Sequence, residues 1–457
     1  MNEVYTFDIE FLTLPLEPIF TKSKGIPQIH NVQMKVSELE IELRLEYEPS
    51  THLGLAFNLW AESLNWQSFG QNLRVSNEQQ NDRLQKIDLS SCSLIKILTS
   101  EKLTNESLST LILYIDQIKF YWTPNPDNFN LAEFYLGEGG FDAVSPFYAV
   151  LFPTGSVFSF DRMNNRTDFY QIGSCKFSFE FNFTAVNNRK DSKEVTIVKE
   201  PKIQFIFPDS IGEKEILHYS QLVTLVTSFF FHRPIEIILS RIHLDQHTIT
   251  IKKIPENKKY PKIYGTREFG LPRMFHNFLK ENWQEGAMKN FRKLIEVINL
   301  FNQSFQLDHY SQFLVRYGII EICNTEKDKG ELFNFTLSKK DQNKKFREAL
   351  EVILTAIPEE DQKAFQEKWT SIQGKMKYRP MKSPLISFLE KVGFDTKDFP
   401  ISINELKALR DKITHGSILK IDKEQLRKAN IQLYRINGIL ILHLLDIKKW
   451  KFNNKIN

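Results

Sequence analysis

Cysteine, glycine and proline are all scarce in this chain, and each scarcity excludes something. Three cysteines in 457 residues, Cys92, Cys175 and Cys323, lie far apart. They make neither a disulfide framework nor a zinc spacing, and they suit a reducing cytoplasm. With 18 glycines and 18 prolines, long low-complexity linkers are not expected. Long hydrophobic runs are missing too. Leu222 to Phe231 and Ile436 to Leu445 are the most apolar stretches, and they reach about half of the roughly twenty residues that span a bilayer. Met1 to Asp8 carries acids where a signal peptide needs a basic start and an apolar run. A soluble cytoplasmic protein with no membrane partner is expected. An excess of one charge is also lacking: 60 Lys+Arg against 56 Asp+Glu leaves +4, too little to mark a nucleic-acid binder by total charge.

The common catalytic signatures are absent as well. Gly137-Glu138-Gly139-Gly140 lacks the following Lys-Ser/Thr of a phosphate loop and puts an acid where a phosphate would sit, so it reads as a turn. There is no His-Glu-x-x-His, Cys-x-x-Cys or nucleophile-elbow pattern. No metal and no cofactor are expected.

What is present is a globular composition, 41% hydrophobic and 25% charged, with 38 phenylalanines. The length calls for two or three domains. The first half alternates with period two. Val4 to Thr13 sets Tyr5, Phe7, Ile9 and Phe11 between polar residues, and Val36 to Tyr47 does the same with Leu39, Ile41, Leu43 and Leu45. Lys176 to Ala185 sets Phe177, Phe179, Phe181 and Phe183 against Ser178, Glu180, Asn182 and Thr184. Such alternation predicts sheets with one face buried and one face wet, and the phenylalanine stripe is sheet core rather than a base-stacking platform. Leu111 to Trp122, Ile203 to Phe207, Ile235 to Leu239 and Thr248 to Ile254 add shorter strands, and Glu213 to Phe231 reads as a helix.

Around Lys252 to Phe269, Pro255, Pro261 and Gly265 sit among lysines, which is linker chemistry. Beyond it the period becomes helical. Apolar residues recur through 291–314, through Phe346 to Ile357 (stopped by Pro358), through Leu385 to Val392, through Ile403 to Ile413 (ended by Gly416) and through Leu426 to Ile447. Five amphipathic helices make a bundle. The fold class is therefore α+β, with a β-rich N-terminal domain over 1–262 and a C-terminal α-helical bundle over 263–457.

One segment has context for chemistry: Leu409-Arg410-Asp411-Lys412-Ile413-Thr414-His415-Gly416-Ser417. Gly416 is the residue expected just past a helix C-terminus. A histidine in that last turn faces the negative end of the helix dipole, which favours its protonated form. Arg410 and His415 lie about 140° apart on a regular helix, so they converge only through a break at Gly416 or a second copy of the site from another subunit. Asp411 is placed to orient an imidazole. From Ile401 onward, 12 Lys/Arg face 5 Asp/Glu. Lys412, Lys420, Lys423, Arg427 and Lys428 flank the motif as phosphate-holding candidates, against the plainer reading of a solvated helix face with a lysine-rich tail at Lys448, Lys449, Lys451 and Lys455. A second Arg/His spacing, Arg241 to His247, falls in a strand-like stretch and is read as coincidence. His443 reads as a core or interface residue, and His218 and His309 are assigned nothing.

Arg-polar-x-x-x-His followed by Gly, just before a long final helix in a C-terminal bundle, resembles the HEPN superfamily. A β-rich N-terminal domain on such a bundle is similar to the ApeA-like anti-phage proteins. The resemblance implies a metal-independent endoribonuclease acting as a homodimer, with two Arg/His motifs lining a cleft, and with Arg410, His415 and Asp411 as the catalytic set. It implies RNA as partner (tRNA, or phage or host mRNA), 2′,3′-cyclic phosphate and 5′-OH ends, and a toxin role in abortive infection. A phage-derived trigger would act on the N-terminal domain. Because some HEPN domains are inactive, the alternative is a non-catalytic RNA- or protein-binding and dimerisation module.

Overall fold

The computed structural model describes residues 3–7, 29–37, 40–47, 84–88, 93–100, 109–125, 129–137, 139–140, 167–187, 195–255, 272–325, 338–373 and 382–447. The chain is α+β, with two antiparallel sheets followed by a helical C-terminal region. It divides into two compact units, 1–284 and 285–457.

In the first unit, β1 (Glu3–Phe7), β2 (Ile29–Val36), β3 (Ile41–Tyr47), β5 (Leu94–Ser100) and β6 (Ser109–Ile115) form a five-stranded sheet in the order β1-β2-β3-β6-β5. Met34, Leu43 and Leu113 lie opposite one another across it and are fully buried. The expected strand from Val36 is interrupted: β2 ends at Val36, the Ser37 N–H donates to the Glu40 carbonyl at 2.9 Å, and β3 begins at Ile41.

The second sheet has eight strands in the order β4-β7-β13-β12-β8-β11-β10-β9. Its members are β4 (Leu84–Asp88), β7 (Gln117–Trp122), β8 (Leu131–Leu136), β9 (Tyr170–Ile172), β10 (Cys175–Asn187), β11 (Val195–Ile206), β12 (Ile237–His243) and β13 (Thr248–Lys253). The run Leu111 to Trp122 is thus two strands in different sheets, joined at Asp116. That residue serves both neighbours: its carboxylate accepts from the Ser93 N–H at 2.6 Å and its carbonyl from the Ile254 N–H at 2.7 Å.

Register explains the core. Ile251, Ser240, Phe134, Ile203 and Phe179 form one cross-strand row, and Ile249, Ile242, Ala132, Phe205 and Phe177 the next. This apolar face carries α1 (Glu213–Phe231), whose bounds match the sequence reading. Glu213 in its first turn pairs with Lys119 of β7 on the same face, and Leu222, Val226, Phe229 and Phe230 are fully buried. The short helix α2 (Pro272–Leu279) joins this core. Phe275 meets the Phe179 ring at 5.6 Å, and Phe278 meets Phe230 at 4.7 Å. These aromatic contacts carry the first unit through Gln284 rather than ending it at residue 262, which lies with 256–271 outside the described residues.

The opposite face corrects an expectation. Two polar partners of the phenylalanine stripe are not wet: Ser178 is fully buried and Glu180 is 6% exposed, as is Lys202 opposite Glu180 on β11, while the side chains of Asn182 and Thr184 lie outside the described residues. Lys202 lies between Glu133 and Glu180 on neighbouring strands and pairs with both, so each of these three charges has a partner. Phe177 and Phe179 are core as expected, whereas the side chains of Phe181 and Phe183 lie outside the described residues.

After α3 (Gln284–Lys289), the second unit holds α4 (Phe291–Ser304), α5 (His309–Cys323), α6 (Lys339–Leu354), α7 (Glu359–Gln373), α8 (Lys382–Val392), α9 (Ile403–Thr414) and α10 (Lys423–Leu444). The apolar run 291–314 is two helices, because Asp308 caps α5 by accepting from the Tyr310 and Ser311 N–H groups. α6 ends at Leu354, three residues short of the expected Ile357, and Pro358 immediately precedes α7, which the periodicity alone did not predict. The α6 face expected to be core is only half-covered: Phe346, Leu350 and Ile353 are partly exposed, and Val352 is 70% exposed. The buried centre lies among α4, α5 and α10, through Leu294, Ile298, Phe301, Phe313, Ile320, Leu433 and Leu440. The Arg316 guanidinium is buried there and pairs with no carboxylate among the described residues. It donates to Ser304 Oγ at 3.1 Å and to the Asn430 carbonyl at 2.9 Å and lies over the Phe305 and Tyr434 rings. Burial lowers its pKa to about 10.

Candidate functional site

The motif sits where three helices of the second unit meet. Ser402 starts α9 with a reciprocal cap: its Oγ accepts from the Glu405 N–H at 3.3 Å, and Glu405 Oε2 accepts from the Ser402 N–H at 2.8 Å. Just before it, the Gln432 amide of α10 clamps both backbone groups of Ile401, at 2.9 and 2.8 Å. Leu406, Leu409 and Ile413 then bury one face of α9. The start and roll of the helix are fixed, and so is the direction in which Arg410 leaves it.

The end of α9 matches the sequence reading of Gly416. Gly416 has φ +74°, its N–H bonds the Ile413 carbonyl at 3.2 Å, and the Ser417 N–H bonds the Lys412 carbonyl at 2.8 Å. This is the double bond of a left-handed helix stop. His415 is the capping residue; its N–H donates to the Asp411 carbonyl at 3.0 Å and its side chain is exposed.

Arg410 is 32% exposed and doubly paired. Its Nη2 donates to Glu321 Oε1 of α5 at 3.3 Å and its Nη1 to Asp411 Oδ1 at 3.3 Å. The guanidinium also lies 5.7 Å from the centroid of the Tyr317 ring, one turn before Glu321. Burial, then the Glu321 charge, raises the Tyr317 pKa, with Arg410 opposing. Glu321 and Tyr317 were not found by sequence reading. Glu321 lies 89 positions from Arg410, and only the packing of α5 against α9 reveals the contact.

Asp411 therefore orients the guanidinium with its carboxylate and receives the His415 amide with its carbonyl. No hydrogen bond joins the Asp411 or Arg410 side chain to the His415 imidazole among the described residues. Lys412, Lys420 and Lys423 are exposed and form no ion pair among the described residues. Arg427 is committed to Glu424 through two bonds, at 2.9 and 2.8 Å, and Lys428 Nζ lies 3.9 Å from the same carboxylate. His443 is exposed in the last turn of α10 rather than packed, while its neighbours Ile441 and Leu442 are buried. The lysine tail beyond residue 447 lies outside the described residues.

The competing Arg/His spacing is a strand hairpin. His243 is buried on β12 with its Nδ1 3.1 Å from Thr248 Oγ1, and burial lowers its pKa. Among the described residues no group of three or more His, Cys, Asp or Glu is placed to hold a metal, and no helix is long and apolar enough to cross a membrane. Cys175 and Cys323 are free and buried, and Cys92 lies outside the described residues. Compared with known proteins, the chain matches no family model, no curated protein and no solved structure.

Proposed function

We propose that this chain is a metal-independent endoribonuclease of the HEPN type, active as a homodimer in an anti-phage, abortive-infection response. The observation that carries the reading is a guanidinium held by Glu321 and Asp411 on the helix that ends at an exposed His415, with three exposed lysines nearby in sequence that form no ion pair among the described residues. In the proposed step the ribose 2′-OH attacks the adjacent phosphorus and loses its proton to one imidazole. The bond to the 5′ oxygen breaks, and the departing oxygen takes a proton from a second histidine, supplied by the partner protomer. The products are a 2′,3′-cyclic phosphate and a 5′-OH. Positioned proton transfer of this kind contributes about 10² to 10⁴ in rate. Arg410 would neutralise charge growing on the phosphorane oxygens through paired N–H bonds. Lys412, Lys420 and Lys423 would hold flanking phosphates.

The double pairing of Arg410 favours the alternative, a non-catalytic RNA- or protein-binding and dimerisation module, because a guanidinium between two carboxylates also serves as a structural tie. Incubating purified protein with RNA in the presence of a chelator separates the two. Cleavage that leaves cyclic phosphate ends and vanishes in His415→Ala supports the nuclease. Identical behaviour of wild type and His415→Ala, in cleavage and in cell toxicity, removes it. The sensing role of the first unit, and the choice among tRNA and phage or host mRNA, rest on the family resemblance.

A further inference from the structure

Glu321 does two things to the proposed site. Among the described residues it is the one carboxylate on another helix that pairs with Arg410, since Asp411 travels with Arg410 on α9. It also adds a negative charge where a phosphate must arrive: Glu321, Asp411 and Arg410 together sum to −1. Both contacts to the guanidinium are 3.3 Å, longer than the roughly 2.7–2.9 Å of a tight charge-assisted bond. These are loose pairs that a phosphate making two shorter bonds can replace.

We infer that Glu321 is the positioning residue of this site, holding Arg410 over Tyr317 when no nucleic acid is bound and competing with the phosphodiester for it. The guanidinium is thus kept in place for catalysis at the expense of substrate affinity. The inference builds on the nuclease reading, and its binding arm is measured separately from cleavage.

The experiment uses the full chain and a 2′-O-methyl oligoribonucleotide, which binds but cannot be cut, followed by fluorescence anisotropy at fixed salt. Glu321→Gln should bind about fivefold tighter, the scale of one screened charge, while kcat on the cleavable RNA falls about tenfold or more. Glu321→Asp restores the charge and should return Kd to the wild-type value. Unchanged Kd and kcat in Glu321→Gln, in a wild type that cuts RNA, overturn this inference alone. Weaker binding in Glu321→Gln with a lowered melting temperature marks a structural tie and overturns it too. A wild type that binds but never cuts overturns the nuclease reading, and the Kd comparison still decides the competition. Absence of binding by the wild type overturns both.

Discussion

Asn437 donates its side-chain amide to the backbone carbonyl of Arg316 at 3.0 Å, and one heptad earlier Asn430 makes the same bond to the His309 carbonyl at 2.9 Å. The donors are seven apart on α10 and the acceptors seven apart on α5, so the two helices run parallel in one register. Buried polar pairs of this kind set alignment more than they add stability.

Asn437→Ala should cost about 1–2 kcal/mol, from a lost hydrogen bond and a small void. If the pair sets the register, Asn430→Ala and Asn437→Ala together should lose more than the two single losses combined, by over about 0.5 kcal/mol. Urea unfolding of the three variants measures this, and strict additivity would assign each residue a merely local bond.

Gly416→Ala tests the helix stop. A Cβ there meets nothing within 4 Å, so the penalty comes only from the left-handed backbone, about 1 kcal/mol. A thermal melt should show a loss of that size, with a smaller one for Gly416→Asn. Under the proposed nuclease function, the fall in RNA cleavage should exceed what stability explains, because His415 caps the same turn.

Lys202 tests the charged face of the large sheet. Burial depresses its pKa, but the hydrogen bond and charge of Glu133, with the charge of Glu180, more than offset this and raise it. Lys202→Ala leaves two carboxylates buried without a cation and should cost about 3–5 kcal/mol. Glu133→Gln combined with Glu180→Gln in the Lys202→Met background should recover much of that loss in denaturant melts.

His276 should make the first unit acid-sensitive. Its Nδ1 lies 2.7 Å from Tyr170 Oη, and burial, aided by Lys280, holds its pKa down to about 4. Below the usual histidine value the unfolded chain takes up a proton that the folded state refuses. Stability therefore falls as pH drops from about 6.5 toward 4, by about 2–3 kcal/mol, and levels off once the folded imidazole also protonates. Denaturant midpoints across that range should slope less in His276→Gln; an equal slope would place the acid sensitivity elsewhere.

Local signals carried further into the structure than long-range ones. Alternation located β10 and helical periodicity located α1 and α9, because the burial that selects those residues repeats along the chain. Gly416 was legible for the same reason: left-handed backbone leaves its mark at a single position. In the sequence Asp116 and Asp308 read as polar residues within apolar runs, although an acid at such a place is what ends one element and begins the next. The buried Lys202 was unreadable because its partners come from other strands. So was Glu321, although its neighbour in space is the arginine on which the site reading rests. The pairing of Arg427 with Glu424, three residues apart on a helix, was legible and weakens that arginine's claim on a phosphate.

The position of β13 has a consequence for the order of events during synthesis. It lies between β7 and β12, so the eight-stranded sheet has no continuous middle until the ribosome has passed Lys253. Everything from α4 onward is still untranslated at that moment. At roughly 5–20 residues per second, the chain has on the order of ten seconds to close its β core before Arg410 exists, so the sheet can form before the helices that follow it are made.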